Sequence, residues 1–450
     1  MTKYRADIDG LRAIAVLAVV IYHLDAAAFD RRIFAGGFVG VDIFFVISGY
    51  LITGLIYGSI AEGRYSIVEF YVRRARRIFP ALFFMFAVCA AFVLIFCLPN
   101  VTDQFKDSLI ASTFFFSNIH FYLTADYFAP GAETQPLLHT WSLAVEEQFY
   151  IFFPLLLMLI SRFSDKARKN WLVGITVASF AVSTWLLWTD PSGAFYLLQA
   201  RAWELLIGAL LAIGVFPAVR NVKLAETIVA SGLTLIAVSV LFYSEHVLFP
   251  GPAALLPCIG AALIIHGGTH AIPVSTRLLA IPPMRFIGLI SYSLYLWHWP
   301  INVIMKFAGF WYMWDTDARS FKLAALSLSF LAAAASWYFV ERPFRRGTSS
   351  KAGNASVLLT SGGIMGALVL AAVMMTAISE RVWSLPPDAK RILEVVNQGT
   401  NRVGTFKPVS SQPATMTLRC STRRIASDCH RRSKTLLSSG TVRPRIWFPG

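Results

Sequence analysis

An arginine and a histidine bracket an otherwise apolar run, GLRAIAVLAVVIYH at 10–23. Arg12 and His23 are eleven residues apart. Eleven helical steps of about 100° close to within about 20° of three full turns, so the two side chains share a face, roughly 16 Å apart along the axis. Charged and titratable groups on one face of a membrane helix turn towards protein or water rather than lipid. Snorkelling of Arg12 and His23 to opposite boundaries would satisfy the same pattern.

Other chemistry-bearing residues recur along the chain. Asp42 sits at the outer end of the run GGFVGVDIFFVISGYLI (36–52), about level with His23, where a carboxylate could orient an imidazole acting as general base. Four arginines, Arg73, Arg74, Arg76 and Arg77, fall within YVRRARRIFPAL (71–82). That density exceeds what topology needs, and guanidinium forks suit phosphate oxygens of a nucleotide donor or of anionic lipid. In HTWSLAVEEQFYIFFP (139–154), His139, Ser142 and Glu146 share a helix face. Adjacent turns of one helix rarely give triad geometry, so the unusual feature there is the carboxylate pair Glu146–Glu147 entering an apolar run. RAWELLIGALLA (201–212) carries Arg201 and Glu204 at pairing distance and Trp203 between them. His298 sits between Trp297 and Trp299, and Glu341 precedes Arg342-Pro343. No ligand spacing supports a metal.

The elements that position these groups are membrane helices. The 450 residues are 56% hydrophobic and 14% charged, with a mean hydropathy of +0.60, against about a quarter charged in soluble domains. The expected fold class is an all-α integral membrane protein. Eleven spans are expected, at about 11–24, 38–57, 78–98, 145–160, 171–188, 202–216, 224–243, 252–268, 286–307, 320–340 and 354–378. The short runs 145–160 and 202–216 read as helices buried among others. With the N-terminus in the cytoplasm, nineteen Lys and Arg flank the inner ends and six the outer ends. The net charge of +15 therefore reflects topology and argues against nucleic acid. The N-terminal basic–apolar–Ala pattern reads as a start-transfer anchor rather than a cleaved signal.

The long external loop 99–144 contains a semi-apolar piece, 109–123, expected as a re-entrant or interfacial helix. Cys89, Cys97 and Cys258 lie in apolar spans; Cys420 and Cys429 could pair in an external tail. Residues 381–450, rich in Ser, Thr and Arg, read as a disordered external tail. The absence of an internal repeat weakens a transporter reading, kept as the alternative: a flippase of lipid-linked sugars.

YRADIDGLRAIAVLAVVIYH, GGFVGVDIFFVISGYLI, RRARRIFPAL, WSLAVEEQFY, RAWELLIGALL, SYSLYLWHWP and ERPFR, in that order over about residues 4–346, resemble the successive signatures of the acyltransferase-3 family. These are bacterial inner-membrane enzymes that O-acetylate surface sugars. The family's R-x10-H motif falls on Arg12 and His23. The resemblance implies a ten-helix acyltransferase domain (1–346), a linker with an eleventh helix (347–380) and a short external tail (381–450). It resembles the subgroup fused to an SGNH-hydrolase-like domain, whose Gly-Asp-Ser motif is missing here, so the tail is expected to be a truncated remnant and an inactive member is the further alternative. The implied reaction moves an acyl group, most simply acetyl, from acyl-CoA to a hydroxyl of a cell-surface glycan such as lipopolysaccharide O-antigen or exopolysaccharide. Arg12, Arg73, Arg74, Arg76 and Arg77 would hold the coenzyme phosphates. His23 would be general base or relay nucleophile, oriented by Asp42 or a glutamate, with Glu146 and Glu147 counted among the catalytic residues and lining the acceptor side. Arg201, Trp203, Glu204, His298 and Glu341 would bind the acceptor. Expected partners are the lipid bilayer, acyl-CoA as co-substrate with no permanently bound cofactor, the glycan or lipid-linked sugar, and a periplasmic partner protein. The expected location is the bacterial inner membrane, multi-pass, with the N-terminus cytoplasmic and the C-terminal tail periplasmic.

Overall fold

A computed structural model describes residues 4–28, 31–124, 134–312, 315, 318–345 and 351–382. The expected tail, with Cys420 and Cys429, lies outside the described residues. Helix α1, Ala6–His23, opens with Asp7 and Asp9 in its first turn, where carboxylates meet the positive end of the helix dipole. A two-residue antiparallel ladder, Ala27–Ala28 with Arg31–Arg32, follows. Then come α2 (Gly40–Ala61), α3 (Ile67–Phe96), α4 (Pro99–Thr113), α5 (Ser117–Thr124) and α6 (Thr140–Ile160). The chain continues through α7 (Asp165–Thr189), α8 (Pro191–Tyr196), α9 (Leu198–Ala212), α10 (Val222–Phe242), α11 (Leu255–His270), α12 (Val274–Leu279) and α13 (Pro282–Tyr312). It closes with α14 (Arg319–Ala335), a π-turn over Ser336–Glu341, α15 (Arg342–Arg345) and α16 (Lys351–Val382).

Helix α1 lies at the centre, packed against α2 and α13. One large apolar core joins α1, α2, α6, α9, α10 and α11; a second joins α3, α4, α13 and α16. Helix α2 runs closely along α9 because glycines face backbone at their contact. A Cβ on Gly49 would lie 1.8 Å from the Leu205 carbonyl oxygen, and one on Gly208 would lie 2.0 Å from that of Val46. Small residues at such crossings substitute close van der Waals contact for the hydrophobic drive that lipid removes. Gly49→Ala must push the helices apart and is expected to cost about 1–3 kcal/mol, the usual range for overpacking. Thermal unfolding in detergent checks this, and a variant as stable as wild type contradicts it.

Among the described residues, nine helices are long and apolar enough to cross a membrane. The chain is a multi-pass membrane protein. Of the eleven expected spans, the two not among these nine are α1 and α13. Both are helices of 18 and 31 residues, but α1 carries Asp7, Asp9 and Arg12 and α13 carries Arg285, His298 and Asn302. The groups that make them chemically interesting are the ones that lower their hydropathy. Helices α6 and the α8–α9 pair are indeed mostly buried, whereas α16 is almost wholly exposed along its apolar length, as a lipid-facing helix must be. Helix α16 is pinned to α4 by Thr376, which donates to Asp103 over 2.6 Å.

Two expectations change in detail. The piece 109–123 is not one helix: it breaks between α4 and α5, at Phe115, whose φ is +58°. One side of it packs into the protein, where Gln148 donates to Asn118 over 2.8 Å. The arginine cluster is not a loop either. Ser66 caps α3 by accepting from the Glu69 amide, so the helix starts eleven residues before the expected span and carries all four arginines on its early turns.

Candidate functional site

Helical spacing divides the four arginines. Arg73 turns to solvent and pairs with Glu69 at 2.6 Å. Arg74 and Arg77, three residues apart, face a cavity of about 820 Å³ that is also lined by Arg12, Ser48, Glu146, Glu147, Tyr150 and Tyr295. Arg76 is not on its wall. Arg74 donates to Glu147 at 3.0 Å and lies over the Tyr150 ring, 3.8 Å from its centroid. Glu146 accepts from Ser48 and Tyr150. Arg12 stands 3.6 Å from Asp9. Arg77 makes no hydrogen bond or ion pair with any described residue. This arginine-end cavity thus holds one uncommitted guanidinium and two that are partly neutralised, a donor set that fits several phosphate oxygens.

A second cavity of about 460 Å³ is lined by His23, His139, Arg201, Tyr295 and aromatic and aliphatic side chains. His23 ends α1. Its carbonyl accepts from Asn302 of α13 at 2.8 Å, which satisfies one of the carbonyls a helix end leaves open. His23 Nδ1 lies 3.1 Å from His298 Nε2. His298 Nδ1 lies 2.6 Å from the Tyr295 carbonyl oxygen and 3.2 Å from that of Leu294. Carbonyls only accept, so His298 Nδ1 carries its proton. In neutral His298 the Nε2 atom is then an acceptor, and His23 Nδ1 must donate to it. The lone pair of His23 is left on Nε2, which has no hydrogen-bond partner among the described residues. That is the state of an oriented general base.

The two cavities adjoin. Val41 and Tyr295 line both, so Arg12 and His23 open into neighbouring chambers from one helix face, as their spacing predicts. Tyr295 is held in place by donating to the His139 carbonyl at 2.9 Å and by a 2.6 Å hydrogen bond with Ser142.

Several expected placements are corrected. Asp42 does not orient His23. It accepts from Arg201 Nη2 at 3.0 Å, while Arg201 Nη1 lies 3.0 Å from Glu204. All three are essentially inaccessible. Equal depth in the membrane does not fix azimuth, and Asp42 turns towards α9. Glu146 and Glu147 join the arginine-end cavity, not His23. Trp203 packs on Phe180, its ring centroid 5.0 Å away, and borders neither cavity. Glu341 accepts from Ser293 at 2.7 Å and pairs with Arg345, so it supports α13. His298 lies behind His23, its Nε2 3.1 Å from His23 Nδ1, and is not on the wall of the second cavity. Asp42, Glu204 and Cys258 bring metal-ligand atom types within 4.8 Å of one another, yet Arg201 already supplies the cation between the carboxylates. His139, which the sequence offered only as part of a triad that was set aside, lines the second cavity. Its signal was a histidine inside the apolar stretch LLHTW, where an unpaired imidazole is costly.

A family profile described as "Acyltransferase domain" matches residues 5–341. The chain belongs to this acyltransferase family. The O-acetyltransferase OatA of Staphylococcus aureus is 34% identical over 360 residues, covering 76% of this chain and 58% of that protein. The peptidoglycan O-acetyltransferase OatA of Listeria monocytogenes is 32% identical over 361 residues, covering 76% and 56%. The chain therefore spans less than three fifths of the length of these relatives. No solved structure matches it. For this acyltransferase-family chain, the matched segment contains both cavities and every helix that lines them.

Proposed function

We propose that this protein is a membrane O-acetyltransferase that moves an acetyl group from acetyl-CoA to a hydroxyl of a cell-surface glycan. The observation that carries the reading is the pair of adjoining cavities, one with guanidinium groups and one with a histidine whose free Nε2 is set by His298. Coenzyme phosphates would sit on Arg77, Arg12 and Arg74, and the thioester would extend past Val41 and Tyr295 towards His23. His23 Nε2 would take the proton of the acceptor hydroxyl. Family membership and the printed names of the relatives support acetyl as the group and peptidoglycan as the first acceptor to test, ahead of lipopolysaccharide O-antigen. The positive-inside bias supports a cytoplasmic arginine end, so the donor would bind from the cytoplasm and the acceptor from outside.

The test is donor dependence. In membrane vesicles supplied with labelled acetyl-CoA, Arg77→Ala is expected to raise the donor KM about 10- to 100-fold, the worth of one charge-assisted hydrogen bond at about 1.5–3 kcal/mol. An unchanged KM, or acylation that does not depend on acetyl-CoA, would count against the arginine-end cavity as the donor site.

A further inference from the structure

His139 and Arg201 share an unusual property. Each is buried to within a few per cent, at 4% and 1% exposure, and each has nitrogens with no hydrogen-bond partner among the described residues: both ring nitrogens of His139, and Nε and Nη1 of Arg201. Both line the histidine-end cavity. Buried polar groups are ordinarily hydrogen-bonded, and each exception calls for an explanation. A neutral imidazole always offers one N–H, and a guanidinium Nε–H can only donate. Two residues of the cavity lining thus carry donors that are uncommitted among the described residues. The same cavity is lined by His23, whose Nε2 carries the lone pair. Much of the remaining wall is apolar: Val19, Phe38, Val41, Leu138, Phe195 and Phe249.

This composition selects among ligands. A sugar ring presents several hydroxyls, each with a proton that needs an acceptor, and the wall offers few. An acetyl group presents one oxygen that only accepts and one methyl that prefers an apolar wall. Arg201 is also fixed in orientation. Its Nη2 donates to Asp42 and its Nη1 lies 3.0 Å from Glu204, and the rings of Phe45, Trp141, Phe195 and Phe249 surround it with centroids 5.5–5.8 Å from the guanidinium carbon. Such a preorganised cation in a dry, aromatic setting does not reorient when charge develops beside it.

We infer that the histidine-end cavity is the acyl site, with His139 N–H and Arg201 Nε–H forming the oxyanion hole of the transfer. The inference rests on the acyl-transfer reading above and deepens it. The acceptor hydroxyl gives its proton to His23 Nε2, and its oxygen bonds to the thioester carbonyl carbon. The carbonyl π pair becomes the oxyanion lone pair, held by the two donors. Its return re-forms the carbonyl and breaks the C–S bond. The coenzyme thiolate then takes the proton from His23 Nε2, so that one ester and one thiol result.

The test uses the full chain expressed in cells lacking their own copy, at matched membrane levels. Base-labile acetate on the surface glycan is read after a pulse of labelled acetate. His139→Phe keeps the ring that packs against Tyr295 and His298, with centroids at 5.6 and 5.9 Å, and removes the donors. Its acylation rate is expected to fall 10²- to 10³-fold, and His139→Asn, which restores an N–H, is expected to regain at least about tenfold of this. Arg201→Lys keeps the cation between Asp42 and Glu204 but removes Nε–H. It is expected to fall by a similar factor, and it decides the matter if His139→Phe does not accumulate. Rates within about twofold of wild type for either accumulating variant, while His23→Ala is silent, overturn the oxyanion hole and leave acyl transfer standing. No label above background in wild type itself overturns the acyl-transfer reading and this inference with it.

Discussion

Replacing His23 with alanine is expected to lower acyl transfer about 10²- to 10⁴-fold, the range a positioned general base contributes, while the protein still reaches the membrane. The side chain is half-buried at the end of α1, and its structural contribution is the hydrogen bond to His298 and one ring contact to each of Tyr22, His298 and Trp299. The capping bond from Asn302 uses the His23 backbone carbonyl, so it survives the substitution. His298→Ala should resemble it more weakly: the base remains, but nothing fixes its proton on Nδ1. The readout is labelled acetate on the surface glycan at matched protein level. Loss of the protein from the membrane would mean that His23 is needed for folding, and unchanged acylation would remove it from the chemistry.

Replacing Arg201 with methionine is expected to cost about 3–5 kcal/mol, because it leaves two buried carboxylates without their cation. Asp42 and Glu204 are both wholly inaccessible, and Arg201 is the guanidinium between them. Combining Arg201→Met with Asp42→Asn and Glu204→Gln removes the charge imbalance, and replacing a whole buried ion cluster is often near neutral. The triple variant should therefore recover its membrane level while acylation stays low. Thermal unfolding in detergent separates the two effects. Wild-type stability in the single variant would show that the carboxylates carry no net charge requiring Arg201.

Helical arithmetic made parts of this site readable from the sequence. The common face of Arg12 and His23 follows from eleven residues on one helix. The pairing of Arg201 with Glu204 follows from a spacing of three. What lies between helices was not readable. His23, His139 and His298 come from α1, from the residue preceding α6 and from α13, and no local periodicity relates them. Asp42 was placed beside His23 because both sit at the same depth. Depth in a bilayer is set by hydropathy, but the direction a side chain faces is set by packing, here the glycine-mediated contact of α2 with α9. The arginine cluster shows the converse: its density was visible, but only the start of α3 at Ile67 decides that Arg74 and Arg77 face inward while Arg73 faces out. Helices α1 and α13 were both legible as spans, although their charged and polar residues lower their hydropathy.

The most direct measurement is mass spectrometry of the surface glycan from cells lacking the gene, complemented by wild type or by His23→Ala. An added acetyl mass that returns with wild type alone is the result this account predicts. The same acetyl mass in both complemented strains, or in neither, would contradict it.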